Sequence, residues 1–333
     1  MTLAEQKTLL LSRSDVAGLL ILPECIAAVR HGFELAGTGQ IPAPAILGVH
    51  AQTGGLHVKA GLLGVDRPLF VAKANTNFPG NPGRHSLPTI QGVIYVADAV
   101  NGRPLAVMDS IEITIQRTGA ATAVAARYLA RPDSETAAVI GCGNQGRIQI
   151  ESLLQVLPLK RIAAFDRDPA AARGLVEMLR LDHAVQAETA ASPADAVRAC
   201  DVCVTCTTST SPLISADDVR PGTFIAAVGA DNEHKQELDP RLFVNAKVVV
   251  DSLDQCAAIG DLHHAISAGL VARESVHGEL ASLVAGKLPG RTTDSEITIF
   301  DSTGVAHEDA VTAALVLRKA WELGVGQPFE FAS

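Results

Sequence analysis

The chain has 333 residues, of which 47% are hydrophobic and 19% are charged, so it can bury one large core or two smaller ones, and two domains are expected. The net charge of -9 and the scatter of Lys and Arg along the chain argue against nucleic acid or an anionic membrane as the main partner. No apolar run reaches the roughly 18 residues of a membrane span, and the first residues do not have the pattern of a signal peptide. The composition therefore predicts a soluble, cytoplasmic globular protein.

The first part of the chain predicts a helix, a β-region and a second helix. Residues 14–37 have a helical pattern that Ser14 can cap, and Pro23 predicts a break within it. Residues 42–108 consist of short alternating runs separated by Gly, Pro and Asn, which is typical of antiparallel β-structure. Residues 113–131 are rich in alanine and favour a close-packed helix, which ends at a hinge before Pro132.

A glycine-rich turn follows, with the sequence GCGNQG at residues 141–146. An apolar run precedes it and an amphipathic stretch follows it, so the glycines stand where a strand turns into a helix. In a dinucleotide-binding turn, Gly141 would allow the tight bend, Gly143 would let backbone N–H groups approach a pyrophosphate, and Gly146 would let helix and strand pack closely. The turn predicts a bound dinucleotide.

A second apolar run, residues 161–165, ends at Asp166. A carboxylate in this position can accept hydrogen bonds from the two ribose hydroxyls and would repel a 2′-phosphate. The sequence therefore favours NAD(H) over NADP(H).

Beyond Asp166, helical and strand-like stretches alternate, which predicts an α/β fold with a doubly wound parallel sheet of the Rossmann type. Such sheets bind ligands at the carboxyl ends of their strands, and the sequence turns polar at two of these ends, residues 207–210 and 229–232. The expected cofactor-binding residues are Gly141, Gly143, Asn144, Gln145, Gly146, Asp166, Thr207, Thr208, Ser209, Val228, Gly229, Thr118 and Ser302.

Six cysteines are present, and three of them lie close together in CDVCVTC at residues 200–206. The alternation in this stretch marks a strand, on which residues three apart point to opposite faces, so a single metal ion cannot collect them. We expect buried thiols and no metal site. His263 and His264 are expected to be a pair on a helix surface.

The segments KANTNFPGNPGRHSLPTIQG, NGRPLAVMDSIEITIQRTGAATAVAARYLA, AVIGCGNQGRIQ and DSTGVAHEDAVTAALVLRKA resemble the ornithine cyclodeaminase and mu-crystallin family. That family also contains archaeal-type alanine dehydrogenases and ketimine and cyclic-imine reductases. The resemblance implies a homodimer, with residues 1–131 and 306–333 as a substrate and dimerisation domain and residues 132–305 as an inserted NAD-binding Rossmann domain. It also implies hydride transfer at a carbon that bears nitrogen and lies next to a carboxylate.

The resemblance implies three further site residues. Lys73 matches the family's active-site lysine, which can bind a substrate carboxylate or move a proton. Arg117 matches the arginine of the RTxA motif, whose planar fork suits a carboxylate. Asp231 matches an acid near the nicotinamide that stabilises an iminium or exchanges a proton.

The sequence lacks one of the basic residues with which the family usually binds its substrate. The usual first-strand arginine is missing between Arg30 and Arg67, and Lys59 on a neighbouring strand can replace its charge. His57 stands near the position where ornithine-specific members carry a glutamate, and with Lys59 it would repel a distal ammonium. Alternation places both side chains on one side of the strand, and the sequence leaves open whether that side is a solvated exterior.

Three functions remain open from the sequence. An NAD(H)-dependent oxidoreductase acting on the C–N bond of a small amino or imino acid fits best. A cyclodeaminase-type lyase that uses NAD catalytically fits the same residues except His57. A non-catalytic nucleotide-binding and ligand-binding protein is the third.

Overall fold

The computed structural model describes residues 7–64 and 68–331, and the chain divides into two compact units. Unit 1 comprises Met1–Arg117 and Val305–Ser333, and unit 2 comprises Thr118–Gly304. The chain thus leaves unit 1, forms unit 2 and returns. The first boundary falls earlier than the hinge at Pro132 expected from the sequence, because the helix that spans this region belongs partly to each unit.

In the described part of unit 1, the strands form one seven-stranded sheet in the order β17-β1-β6-β5-β4-β3-β2. The strands are β1 (Thr8–Leu11), β2 (Ala45–Ala51), β3 (Gly54–Leu63), β4 (Leu69–Asn77), β5 (Ile90–Asp98), β6 (Pro104–Asp109) and β17 (Gln327–Phe329). Strands β2 to β6 pair antiparallel in sequence order, which confirms the β-region predicted for residues 42–108.

The helices of unit 1 are α1 (Arg13–Leu19), α2 (Leu22–Gly37), α3 (Asn81–His85), the first part of α4 (Ile111–Leu129), and α12 (Ala306–Leu323). The predicted break near Pro23 is present between α1 and α2. The predicted cap at Ser14 is wrong, because Ser12 and Asp15 form a capping box in which each side chain accepts from the other's backbone N–H.

A helix covers one face of this sheet, and the other face is exposed. Helix α12 packs on β3 and β4, and the side chains on that face, such as Val71, Ile94 and Met108, are buried. Strand pairing places a second apolar set on the opposite face, and five of its side chains are 36–57% exposed: Leu47, Val49, Phe70, Val93 and Tyr95. One face of the sheet therefore forms the core, while the other presents apolar side chains to solvent.

Unit 2 is built on an eight-stranded sheet in the order β15-β14-β16-β12-β10-β7-β8-β9, in which every pairing is parallel. Its strands are β7 (Thr136–Ile140), β8 (Arg161–Phe165), β9 (Gln186–Thr189), β10 (Val202–Thr205), β12 (Phe224–Ala227), β14 (Lys247–Val250), β15 (Gly278–Glu279) and β16 (Thr298–Asp301). Two more strands, β11 (Thr210–Ile214) and β13 (Gln236–Leu238), form a small parallel sheet. The predicted parallel α/β fold is confirmed.

The helices of unit 2, beyond the end of α4, are α5 (Asn144–Leu154), α6 (Pro169–Asp182), α7 (Pro193–Val197), α8 (Leu242–Asn245), α9 (Leu253–Ile259), α10 (Asp261–Ser267) and α11 (Leu280–Val284). Buried aliphatic residues of the central strands form its core, as expected for parallel strands that are covered on both faces.

The cysteines and histidines singled out in the sequence fall mainly in unit 2. All six cysteines are free thiols, and every one except the half-buried Cys206 is buried. Among the described residues, no three His, Cys, Asp or Glu side chains are placed to hold a metal ion. His264 is not a simple surface residue, because its Nε2 lies 2.8 Å from the carbonyl oxygen of Lys235.

Of the described helices, none alone has the length and apolar character needed to cross a membrane. Helices α1 and α2 meet those two criteria only as a pair, and they are bent by 88°.

Candidate functional site

The glycine turn of unit 2 has a different requirement at each glycine. Gly141 has a φ of +103°, and a Cβ there would lie 2.9 Å from the carbonyl oxygen of Cys206. A Cβ at Gly146 would lie 2.0 Å from the carbonyl oxygen of Gly141, so only glycine allows α5 to pack so close to the turn. A Cβ at Gly143 would meet no atom within 4 Å, so the start of α5 is open to an approaching group. This geometry fits a pyrophosphate at the helix N-terminus.

Asp166 lies directly after β8 and beside this turn. Its Oδ2 accepts a hydrogen bond from the N–H of Cys142 at 2.7 Å, and its Oδ1 accepts one from the N–H of Asp168 at 2.8 Å. These two bonds fix the carboxylate at the end of the strand, which is where a ribose-binding acid is required.

A cavity of about 330 Å³ adjoins the turn. Its lining includes six of the residues that the sequence predicted to bind the cofactor: Gly141, Gly143, Asp166, Thr207, Thr208 and Ser209. Arg167 also lines it and was not predicted. The cavity therefore joins the turn after β7, the acid after β8 and the polar segment after β10.

The other residues predicted to bind the cofactor lie outside that lining. Asn144 and Gln145 begin α5, Val228 and Gly229 follow β12, and Ser302 follows β16. Ser302 Oγ donates a hydrogen bond to Asp251 Oδ2 at 2.9 Å. Thr118 is buried in α4.

Unit 1 contains a buried group of opposite charges. Lys73 on β4 is 5% exposed, and its Nζ lies 2.7 Å from Asp309 Oδ2. Arg117 on α4 is 6% exposed; its Nε donates to Asp309 Oδ1 at 3.0 Å and its Nη1 donates to Glu308 Oε2 at 2.6 Å. Two acids in the first turn of α12 thus hold the two cations that the resemblance implied for the substrate.

Burial shifts the ionisation of this group. It lowers the pKa of Lys73 to about 8, because an ammonium is poorly stabilised away from water, and the charge of Asp309 only partly opposes this effect. Burial alone would raise the pKa of Asp309, but Lys73 and Arg117 outweigh it and hold that pKa below its ordinary value. Lys73 is therefore an amine that can change protonation state near neutral pH.

Lys59 stands directly opposite Lys73 in the pairing of β3 with β4, so both side chains point to the α12 side of the sheet. The charge of Lys59 contributes to the lowered pKa of Lys73. His57 is on the same side two residues earlier but is exposed, and its ring lies edge-on to that of His50 with 6.0 Å between centroids. Lys59 is thus half-buried beside the charge group, and His57 is exposed on the same side of the sheet.

Asp231 belongs to unit 2, in the segment after β12. Its carboxylate lies 2.7 Å from Nζ of Lys235, and its side chain is 46% exposed. The same Nζ donates to the carbonyl oxygen of Gly229 at 3.2 Å, so Lys235 fixes Asp231 against the end of the strand. Lys235 was not singled out in the sequence.

Glu308 and Asp309 were also not predicted from the sequence as site residues. Their sequence signal was weak, because two acids in the first turn of a helix have a ready local explanation in the helix dipole. Their burial, 0% and 2% exposed, points instead to a role in holding Lys73 and Arg117.

The fold and these residues define a two-unit α/β protein with a Rossmann-type nucleotide-binding turn. A model of the ornithine cyclodeaminase/mu-crystallin family matches residues 6–323, and the chain belongs to this family. The chain is 37% identical to an alanine dehydrogenase of Archaeoglobus fulgidus over 326 residues, which cover 98% of this chain and 99% of that protein.

Two solved structures are similar along their whole length. One is an archaeal alanine dehydrogenase dimer with bound NAD, with a TM-score of 0.93, 36% identity, and coverage of 98% of this chain and 99% of that chain. The other is the Δ1-pyrroline-2-carboxylate reductase of Thermococcus litoralis in complex with NADH and L-proline, with a TM-score of 0.92, 34% identity, and coverage of 97% and 100%.

Proposed function

We propose that this protein is an NAD(H)-dependent oxidoreductase that acts on the C–N bond of a small amino or imino acid, as an imine reductase or an amino-acid dehydrogenase. The observation that carries the proposal is the buried group of Lys73, Arg117, Glu308 and Asp309. The names of the related alanine dehydrogenase and pyrroline-2-carboxylate reductase describe this chemistry.

Unit 2 supplies the nucleotide-binding residues. Gly143 leaves the start of α5 open to the pyrophosphate, Gly141 and Gly146 allow the tight turn and the close packing of α5, and Asp166 accepts hydrogen bonds from the ribose hydroxyls. The bound nucleotide supplies or accepts the hydride. The fixed carboxylate of Asp166 would repel a 2′-phosphate, which favours NAD(H).

Unit 1 supplies the groups that act on the amino or imino acid. Arg117 binds the substrate carboxylate, and Lys73 binds the same anion or exchanges the proton that the substrate nitrogen gains on reduction and loses on oxidation. A pKa of about 8 suits Lys73 to this exchange, since both of its protonation states are accessible near neutral pH. In unit 2, Asp231 serves to stabilise the positive charge of an iminium.

The basic residues of unit 1 indicate the kind of substrate. Lys59 stands opposite Lys73, and Lys73 and Arg117 are the buried cations of the charge group, so a distal ammonium on the substrate would meet groups of like charge. Like charges repel, and the repulsion is stronger in a site that is shielded from water. The substrate is accordingly an α-amino or α-imino acid without a distal ammonium.

The proposal is tested by NADH consumption with pyruvate, glyoxylate or oxaloacetate plus ammonia or methylamine, and with cyclic imines, beside an assay for conversion of ornithine to proline. Lys73→Met should abolish turnover while leaving NADH binding intact. Lys319→Met is a matched control on α12, because Lys319 pairs with the exposed Glu24 and lies outside the charge group. Brisk conversion of ornithine would identify a lyase instead, and tight NADH binding without any turnover would identify a binding protein.

We also propose that the protein is a homodimer, assembled through the open face of the unit 1 sheet. Leu47, Val49, Phe70, Val93 and Tyr95 lie on this one face and are 36–57% exposed, and apolar patches of this kind typically mark an interface. The related archaeal alanine dehydrogenase is described as a dimer.

The free state of all six cysteines supports the cytoplasm as the compartment.

A further inference from the structure

Glu237 on β13 is a buried acid to which the proposed reaction assigns no role. It is 0% exposed, and its two carboxylate oxygens accept hydrogen bonds from two different loops. Oε1 accepts from the N–H of Thr207 at 2.5 Å, and Oε2 accepts from the N–H of Gly229 at 3.0 Å. Thr207 follows β10 and Gly229 follows β12, and these strands are neighbours in the sheet. One carboxylate therefore ties together the ends of two adjacent strands.

The fit around this carboxylate is tight. A Cβ at Gly229 would lie 2.4 Å from Glu237 Oε2, so the approach requires glycine at that position. The backbone of Glu237 is fixed in turn, because Asp261 Oδ1 accepts from the N–H groups of Glu237 at 2.8 Å and of Leu238 at 2.9 Å. The carboxylate is thus held in place by its own backbone as well as by the loops that it joins.

We propose that Glu237 is a positioning residue for the dinucleotide, which holds the segments after β10 and β12 in the conformation that binds it. Thr207 lines the cavity beside the glycine turn, so releasing its N–H would allow part of that lining to move. The inference rests on the proposed nucleotide-binding role of unit 2. It adds a residue that does not itself line the cavity.

The ionised form of Glu237 suits this role better than the protonated form. An ionised carboxylate accepts from both N–H groups, whereas a carboxylic acid presents a hydroxyl that donates, so one of the two bonds is weakened. Burial and the charge of Asp261 raise the pKa of Glu237 to about 7, while the bonds from Thr207 oppose the rise. The other titratable groups that act on the site are the thiols of Cys203 and Cys206, and His264 and Asp301 act on Asp261.

The test is NADH titration of the full-length protein at about one pH unit below and above pH 7, with wild type, Glu237→Gln and Glu279→Gln. Wild type should bind more weakly on the acidic side. Glu237→Gln should bind about tenfold more weakly than wild type on the alkaline side, since its amide opposes an N–H with another donor, and should not respond to pH. Glu279, the last residue of the edge strand β15, is the matched control, because its carboxylate also accepts a hydrogen bond from a backbone N–H, that of Leu253 at 2.9 Å. Its variant should follow wild type.

Parallel pH profiles for Glu237→Gln and wild type would overturn the inference, whereas a wild type that binds no NADH would overturn the proposed function. Amide hydrogen exchange of the wild type gives a second test that needs no variant. Relative to the intrinsic rate at each pH, the amides of Thr207 and Gly229 should lose protection below pH 7, and that of Leu253 should keep it. Unchanged protection at Thr207 and Gly229 would also contradict the role of Glu237.

Discussion

Replacing Asp309 with asparagine should reveal two separate effects of this carboxylate, one on the stability of the fold and one on the pKa of Lys73. Asp309 holds Lys73 at 2.7 Å and Arg117 at 3.0 Å, and all three side chains are buried. Removing one partner of a buried ion pair costs about 3–5 kcal/mol, and asparagine keeps the shape and one acceptor oxygen, so we expect a loss of about 3 kcal/mol in the free energy of unfolding at neutral pH. The pKa of Asp309 is lowered in the folded protein, so this difference should be complete above pH 3.8 and vanish as the pH falls through the lower folded value.

The same variant should move the pH dependence of catalysis. If Lys73 acts as an ammonium, kcat/KM for imine reduction falls as the pH rises through about 8 in the wild type. Loss of a neighbouring carboxylate lowers the pKa of a lysine by about 1–3 units, so the fall should occur at a correspondingly lower pH in Asp309→Asn. Urea unfolding and pH profiles of kcat/KM measure the two effects. Glu24→Gln, which breaks the exposed pair with Lys319, is the control and should cost less than about 1 kcal/mol. An unmoved pH profile together with unchanged stability would refute this account of Lys73.

Four further predictions follow from single side chains. Asp166→Ser should weaken NADH binding and relieve discrimination against NADPH in direct titration, and a wild type that prefers NADPH would contradict the ribose assignment. Lys59→Ala should raise KM by about ten- to a hundredfold, and unchanged kinetics would remove Lys59 from the substrate site. Phe70→Glu should give a monomer by light scattering at micromolar concentration, whereas Val100→Glu should leave the dimer intact. Burial lowers the pKa of His307 to about 4, so stability should fall by about 2–3 kcal/mol as the pH drops from 6.5 to 4, and His307→Phe should flatten this fall in thermal unfolding.

The sequence predicted the parallel sheet of unit 2 because the information for it is local. Strands such as β7 and β10 are continuous apolar runs, and glycines and polar residues mark where they end. Short strands such as β9, β13 and β15 were not predicted, because their two to four residues are mostly polar and form no continuous apolar run. Helix α3 was not predicted either, because its five residues include Pro82 and Gly83, which are typical of turns.

The residues proposed to bind the nucleotide could also be predicted from the sequence, because the turn, the second strand and Asp166 follow one another closely along the chain. The positions of Lys73 and Arg117 were implied by the resemblance, but their partners were not. Glu237 was missed for a related reason: its two hydrogen bonds reach 30 residues back to Thr207 and 8 back to Gly229, and no local pattern distinguishes it from a solvent-exposed acid.

The insertion of unit 2 separates the cations of the charge group from their acids in the sequence. Arg117 and Glu308 are 191 residues apart in sequence, because the whole of unit 2 lies between the two parts of unit 1. The N-terminal part of unit 1 supplies the two buried cations, on β4 and α4, but not the two acids that pair with them. The two acids in the first turn of α12 have a local explanation in the sequence, because acids at a helix N-terminus interact favourably with the helix dipole. Only the return of the chain into unit 1 brings the acids to the cations, so a fragment that ends before α12 would lose Glu308, Asp309 and the helix that covers this face of the sheet. Helix α12 is therefore required for the site in unit 1 as much as for its core.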